Sequence, residues 1–400
     1  MIYHPSLYPH ELRAAAASWR MAALAADAHA SAARAAAAAL KATGFAGSAA
    51  GAAYARLEAQ AEDFARAAAR ARQAADLLEF AAGQQQLLDE VARRAALMAA
   101  DASHRALIIR LNLMSKQLDM LIADQLGAGG DDPVDRLVAH PEEDLEALHA
   151  RYVGTLPAAS ASAIAQAGGT VLEAGPGSTT VMVGDSVDPD RIITLVNGVT
   201  TGKPDALPRE IERAKFIADY TGAAVVVWQG YAPPPTVAKG FSGRAASEGA
   251  GHLAMFQLAL DERFPHAEKS VVSHSYGTVV ASRAAYEHGL VADDLWLLGS
   301  PGVDGNSVDD LQLTGRPGAA PRVYAVDASR DIIKTLRNDD ASLHGMHSPS
   351  DPGYGAIIID GVEGTHTEYF ASPVLLNALT CPPDPAAQNS LPSAVANLKI

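Results

Sequence analysis

Two patterns of apolar and polar positions divide the chain. From Pro9 to about Leu126, apolar residues recur every three or four positions. Leu87, Val91, Ala95 and Met98, then Leu107, Leu111, Met114, Leu118 and Leu121, show the spacing. It is the mark of helices with packed faces. The residues between them are strong helix formers (Ala, Leu, Arg, Glu, Gln), and no proline follows Pro9 in this stretch. Gly44-Phe45-Ala46-Gly47 interrupts the pattern as a helix C-cap and turn would. The pattern predicts helices over about 9–42, 48–99 and 101–125. Their Ala- and Met-rich stripes read as packing seams, with no clustered histidines or carboxylates to suggest a site.

Gly127 to Pro133 (GAGGDDP) is turn chemistry and reads as a hinge, followed by a short helix around Glu142 to Tyr152. From about residue 168 the pattern becomes short β-branched runs alternating with helical stretches. TVLEA and TVMVG suit a hairpin. RIITLVNG, AAVVVWQG, SVVSHS, LWLLGS and RVYAVD follow as strands, each ending in glycine, serine or aspartate. Helical patterns over Pro208–Tyr220, Ala246–Phe264 and Tyr276–His288 lie between them. The alternation predicts an α/β fold, a mostly parallel sheet with helices on both faces. The expected division is a helical domain over 1–126, a linker with a short helix over 127–167, an α/β domain over 168–381 and an extended or disordered tail over 382–400.

Composition narrows the classes. The 400 residues are 48% hydrophobic, enough to bury more than one core. A net charge of −15 argues against a nucleic-acid or anionic-membrane partner. Cys381 is the only cysteine, which excludes an intrachain disulfide and a Cys-ligated zinc site. MIYHPSLYPHELRAAAASWR lacks the regions of a secretory signal, and no apolar run reaches the roughly 18–20 residues needed to span a bilayer. The expectation is a cytoplasmic protein, or one exported without a cleaved signal.

The chemistry sits at strand ends, where ligands bind in such sheets. SVVSHSYGTVV runs from an apolar strand through Ser275 into an amphipathic helix. Ser275 is either a small residue in a tight corner or a nucleophile on a strained strand-to-helix turn, whose usual form is G-x-S-x-G. Gly277 fills the second glycine position and Ser273 departs from the first. The helix N-terminus behind the serine aims the Tyr276 N–H at a developing oxyanion.

A serine needs a base and the base an orienting acid; on this kind of turn they follow as serine, acid, histidine. RVYAVDASRDIIKTL offers Asp331 in the loop after its strand, with Asp327 in reserve. Asp331 also reads as a helix N-cap. EGTHTEYF puts His366 in a loop just before a C-terminal helix. His344 and His347 read as pocket rim or loop, and a metal site from them with Asp351 lacks a helical or strand scaffold. His274 packs beside the turn.

A second oxyanion donor belongs in the loop after an early strand, and LVNGVTTGKPD supplies Gly198, Val199, Thr200, Thr201 and Gly202. An ordinary strand-to-loop turn reads the same way. Trp228, Tyr231 and the loop Ala232–Pro235 are candidates for the substrate pocket, with Thr200 and His274 beside them.

VNGVTTG, VVVWQGY, VVSHSYGTVV, LWLLGSPGV, LHGMHSPSDPGYGA and GTHTEYF, in that order over roughly residues 170 to 380, resemble an actinobacterial α/β-hydrolase family of unassigned function. The resemblance implies an α/β-hydrolase fold with nucleophile Ser275, acid Asp331 and histidine His366. That family usually shows G-H-S-Y-G, so Ser273 is the departure. The helical region is similar to hairpins with a W-x-G turn associated with type VII secretion. Phe45-Ala46-Gly47 stands at the turn, and Tyr54-x-x-x-Glu58 resembles the export signal of that system. The activity implied is a serine esterase or lipase acting on a small-molecule or lipid acyl ester, with no cofactor or metal. The rivals are an acyltransferase with the same triad and a secretion-associated interaction protein. The helical region is then a surface for self-association or a secretion partner.

Overall fold

The computed structural model describes residues 2–127, 134–199, 201–234, 243–337 and 347–383. The described residues within 1–98 and 114–131 form one compact unit, and those within 99–113 and 132–400 form another. Among the described residues no helix is long and apolar enough to cross a membrane.

The first unit is built on an antiparallel hairpin of α1 (Pro9–Ala42) and α2 (Ser48–Ala95). Its seam is alanine at seven-residue spacing: Ala16, Ala23, Ala30 and Ala37 are buried on α1, and Ala61, Ala68, Ala75 and Ala82 on α2. A sustained seven-residue repeat keeps one stripe facing the partner helix, and alanine lets the backbones approach closely. Larger side chains thicken one end, where Leu12, Leu78 and Ile122 join the cluster; Ile122 belongs to α3 (Ala102–Gln125). Arg13 and Arg20 pair with Glu79, and Arg72 pairs with Asp27, at the exposed edges. At the turn the Tyr54 hydroxyl donates to the Phe45 carbonyl (2.6 Å), and Lys41 pairs with Glu58. Helix α2 stops at Ala95, short of the expected residue 99.

The second unit is an α/β domain. Its strands are β1 (Thr170–Gly175), β2 (Ser178–Val183), β3 (Arg191–Val196), β4 (Ala224–Trp228), β5 (Glu268–His274), β7 (Asp294–Leu298), β9 (Arg322–Val326) and β10 (Ile357–Ile359). They form one sheet in the order β1-β2-β4-β3-β5-β7-β9-β10. The expected hairpin makes β1 and β2 antiparallel, and β2 runs antiparallel to β4; every pairing from β4 through β10 is parallel. The short β6 (Leu290–Val291) and β8 (Leu313–Thr314) pair apart from it. All five residues of β4 and of β7 are buried, as expected of a sheet covered on both faces.

The covering helices are α4 (Leu145–Val153), α5 (Ala158–Ala167), α6 (Leu207–Thr221), α7 (Arg244–Arg263), α8 (Tyr276–Arg283) and α9 (Pro373–Thr380). Helix α8 is shorter than its pattern, because residues 284–288 widen into a π turn. The segment 99–113 packs with this unit: Arg110 donates to Asp261 (2.5 Å), which also pairs with the buried Lys269. Most of the GAGGDDP hinge, Pro235 and nearly all of the expected tail lie outside the described residues.

Candidate active site

Strand β5 delivers its last residue, His274, to the carboxyl edge of the sheet, and α8 begins at Tyr276. Ser275 between them has φ 56° and ψ −128°, the only positive φ at a non-glycine residue among those described. Such a conformation costs about 1–3 kcal/mol and persists only where the surroundings enforce it. Here the Ser275 N–H donates to the Leu298 carbonyl (2.9 Å), tying the turn to β7. Gly277 lets α8 press against β3, since a Cβ there would stand 2.1 Å from the Val196 carbonyl oxygen. Gly277→Ala is therefore expected to cost about 3 kcal/mol or more, read as a lowered urea midpoint, because the atoms in the way are backbone and cannot swing aside.

Ser273, the departure from the usual motif, is fully buried, and its hydroxyl donates to the Trp296 carbonyl (2.6 Å). A buried hydroxyl is tolerated once it has such a partner. The turn accommodates serine there without losing its shape.

His366 sits in the loop between β10 and α9 with its Nε2 2.8 Å from Ser275 Oγ. Its Nδ1 lies 2.9 and 3.1 Å from the two carboxylate oxygens of Asp331. With Nδ1 protonated, the imidazole donates to Asp331 and accepts from the serine. Asp331 is 3% exposed and fully engaged. It accepts from Ile333 N–H (2.8 Å) and from the Tyr369 hydroxyl (2.6 Å) as well. The helix-cap reading and the histidine contact thus coexist. Burial alone would raise this carboxyl, but the hydrogen bonds from His366, Tyr369 and the Ile333 N–H outweigh it and hold it down at about 2.

Asp327 is turned elsewhere, to Arg337 and Ser350. His347 makes an isolated β-bridge with Val303, and His344 lies outside the described residues.

Two residues that sequence reasoning missed complete the surroundings of Asp331. The Tyr369 hydroxyl donates to Asp331 and accepts from Ala328 N–H (3.0 Å), and burial raises it above the ordinary tyrosine range. Gly299, at the end of β7 with φ 52°, leaves room for both groups; a Cβ there would lie 2.6 Å from Asp331 Oδ2 and 2.8 Å from the tyrosine oxygen. The only hints were the three-residue spacing from His366 to Tyr369 and a glycine at a strand end. Tyr369→Phe leaves the buried Ala328 N–H unpaired and should cost about 1–3 kcal/mol in chemical denaturation, with slower catalysis.

The loop after β3 approaches the same serine. A Cβ on Gly198 would lie 2.9 Å from Ser275 Cβ, so only glycine fits beside this serine. The Gly198 N–H donates to Thr201 Oγ1 (3.2 Å), while Val199 is buried beside it. Thr200 lies outside the described residues. Tyr276 opens α8, so its N–H is among the first amides of a helix, which have no intrahelical acceptor.

The pocket expected of Trp228 gives way to core packing. Trp228 is fully buried, stacked on Tyr231 (ring centroids 5.8 Å apart) and close to Phe256. The reason is that β4 is an interior strand with both faces covered. Tyr231 is also buried; it stacks on Tyr276, and its hydroxyl donates to the Asn197 carbonyl (2.8 Å). It braces the loop that carries Gly198. His274 donates from Nε2 to the His366 carbonyl (2.7 Å).

Residues 173–339 match a family model described as an alpha/beta hydrolase. No curated protein sequence matches the chain. Among solved structures it is similar to the esterase PE8, at 13% identity over 50% of this chain and 94% of that one, with a TM-score of 0.34. It is also similar to the esterase LipW from Mycobacterium marinum, at 13% identity over 62% and 93%, with a TM-score of 0.34. A third similarity is to an esterase from Pyrobaculum calidifontis, at 12% identity over 60% and 91%, with a TM-score of 0.32.

Proposed function

We propose that the chain is a serine hydrolase of carboxylic esters, esterase- or lipase-like, working through an acyl-enzyme on Ser275. One observation carries the reading: the continuous path Ser275 Oγ to His366 Nε2 (2.8 Å), and His366 Nδ1 to Asp331 (2.9 Å). It ends at a serine held in a strained strand-to-helix turn. The α/β-hydrolase family match over residues 173–339 supports the same chemistry.

In this reading His366 Nε2 takes the hydroxyl proton as Ser275 Oγ attacks the ester carbonyl. A general base of this kind contributes about 10²–10⁴-fold. Asp331 keeps the imidazole proton on Nδ1 and stabilises the imidazolium. The Tyr276 N–H, with Val199 N–H from the β3 loop, receives the oxyanion; each such donor is worth about 10²–10³-fold. Collapse of the tetrahedral intermediate expels the alcohol, which takes the proton back from His366. Water, activated by the same histidine, then frees the acid. Gly198 serves by its missing side chain, which lets the loop lie against Ser275.

The test is labelling of the full chain with a fluorophosphonate probe, beside hydrolysis of p-nitrophenyl acetate. Labelling of wild type that is lost in Ser275→Ala supports the reading. Equal labelling of both proteins, or of neither, overturns it.

A further inference from the structure

The residue before the nucleophile is a histidine whose side chain is spent on the base. His274 Nε2 lies 2.7 Å from the carbonyl oxygen of His366, 92 positions away. Its ring centroid is 4.7 Å from that of His366 and 5.3 Å from that of Tyr369, the residue that braces Asp331. One side chain therefore touches the backbone of the base, the ring of the base and the support of the acid, and its own peptide leads into Ser275. We infer that His274 is a positioning residue: its Nε2–H holds the His366 carbonyl to the strand-to-helix turn and so fixes the imidazole over Ser275 Oγ. This rests on the reading of Ser275 and His366 as nucleophile and base.

The geometry explains why such a tie is useful. Asp331 grips His366 only through Nδ1, at the far side of the ring. A hinge there leaves the ring free to swing with its loop. The His274 bond adds a second point, on the backbone, and anchors it to the rigid end of β5. Fixing a catalytic group at two points removes freedom before the reaction, and a displacement of about 1 Å from the attacking geometry costs on the order of 10²-fold.

The choice of histidine is also physical. The donor must be uncharged, because a second cation would oppose the imidazolium that forms on His366 during attack. Burial, followed by the neighbouring His366, lowers the His274 imidazole to about 3, so it stays neutral at physiological pH. Neutral imidazole with its proton on Nε2 supplies one N–H without a charge.

The test compares His274→Phe, which keeps a ring and loses the donor, with His274→Gln, which offers an amide N–H at a similar reach. Both are assayed in the full chain with p-nitrophenyl acetate and a fluorophosphonate. His274→Phe is expected to lower kcat and the rate of labelling about 10- to 100-fold with KM nearly unchanged, and His274→Gln to restore most of the loss. A phenylalanine variant as fast as wild type overturns the inference, as does a glutamine variant equally impaired or a loss confined to KM. Should His274→Phe fail to fold, His274→Met replaces it as the variant without a donor, and equal kcat for Met and Gln overturns the inference. Ser275→Ala in the same assay separates the two levels. If it is inert while His274→Phe is normal, only the positioning role fails. If it reacts like wild type, the serine reading fails and takes the positioning role with it.

Discussion

Ser275→Ala is expected to lower kcat/KM for ester hydrolysis by on the order of 10⁶-fold and to abolish fluorophosphonate labelling, because in the proposed reading the serine, the base and the acid act as one unit. The chain should stay folded, since the change removes one hydrogen bond, to His366. Ser275→Gly sharpens the result. Ser275 holds φ 56° and ψ −128°, a region that glycine enters without the strain of a side chain. Glycine also gives up more chain entropy on folding, by about 0.5–1 kcal/mol. The net expectation is a stability gain of about 1 kcal/mol over Ser275→Ala, by urea denaturation, in an equally inactive protein. A glycine variant less stable than the alanine variant would mean that the turn is not under strain. Serine would then be a comfortable occupant of the turn, with no strain maintained for chemistry.

Asp331→Asn should cost about 10⁴-fold in kcat with the fold intact. The carboxylate accepts from His366, Tyr369 and Ile333, and asparagine has only one oxygen to offer these three donors. If its amide nitrogen faces His366, the imidazole must carry its proton on Nε2 and cannot take the proton of Ser275. The variant also carries a signature in stability. The folded carboxyl is depressed from 3.8 to about 2, so its contribution is fully present above about pH 4 and is lost as pH falls through 2. That contribution is about 2 kcal/mol for a shift of this size. Urea midpoints taken at pH 5 and at pH 2.5 should fall further apart in wild type than in Asp331→Asn. Equal acid sensitivity would show that the carboxylate is not held by these donors in solution.

Much of this was legible because it is local. The alanines seven apart on α1 and α2 announce a close helical seam, since each repeat returns a side chain to the same face. The alternation after residue 168 predicts a parallel sheet, and the strands ending in Val196, His274 and Leu298 come to one edge because parallel strands point the same way. The motif around Ser275 could be recognised as a turn between strand and helix, with Gly277 too close to β3 for any side chain. Other readings failed where burial decides. Trp228 sits at a strand end in sequence, yet the neighbouring strands and Tyr231 enclose it. A strand position alone does not say which ends stay open.

By itself the sequence determined that a helical region precedes an α/β one, the order of strands and helices, and the residue types able to act as nucleophile, acid and base. Each rests on periodicity or on chemistry carried by a short stretch. Only the tertiary structure decided which aspartate faces His366. Asp327 and Asp331 are four residues apart and alike in type, and the distinction comes from Arg337 and Ser350 claiming the first. It likewise revealed Tyr369 and Gly299 around Asp331, and the reach of His274 to the carbonyl of His366. The contacts of Tyr369, Gly299 and His274 join positions from 32 to 92 residues apart. Nothing in a local pattern encodes such distances, because they are set by how the strands order themselves in the sheet and which loops their ends bring together.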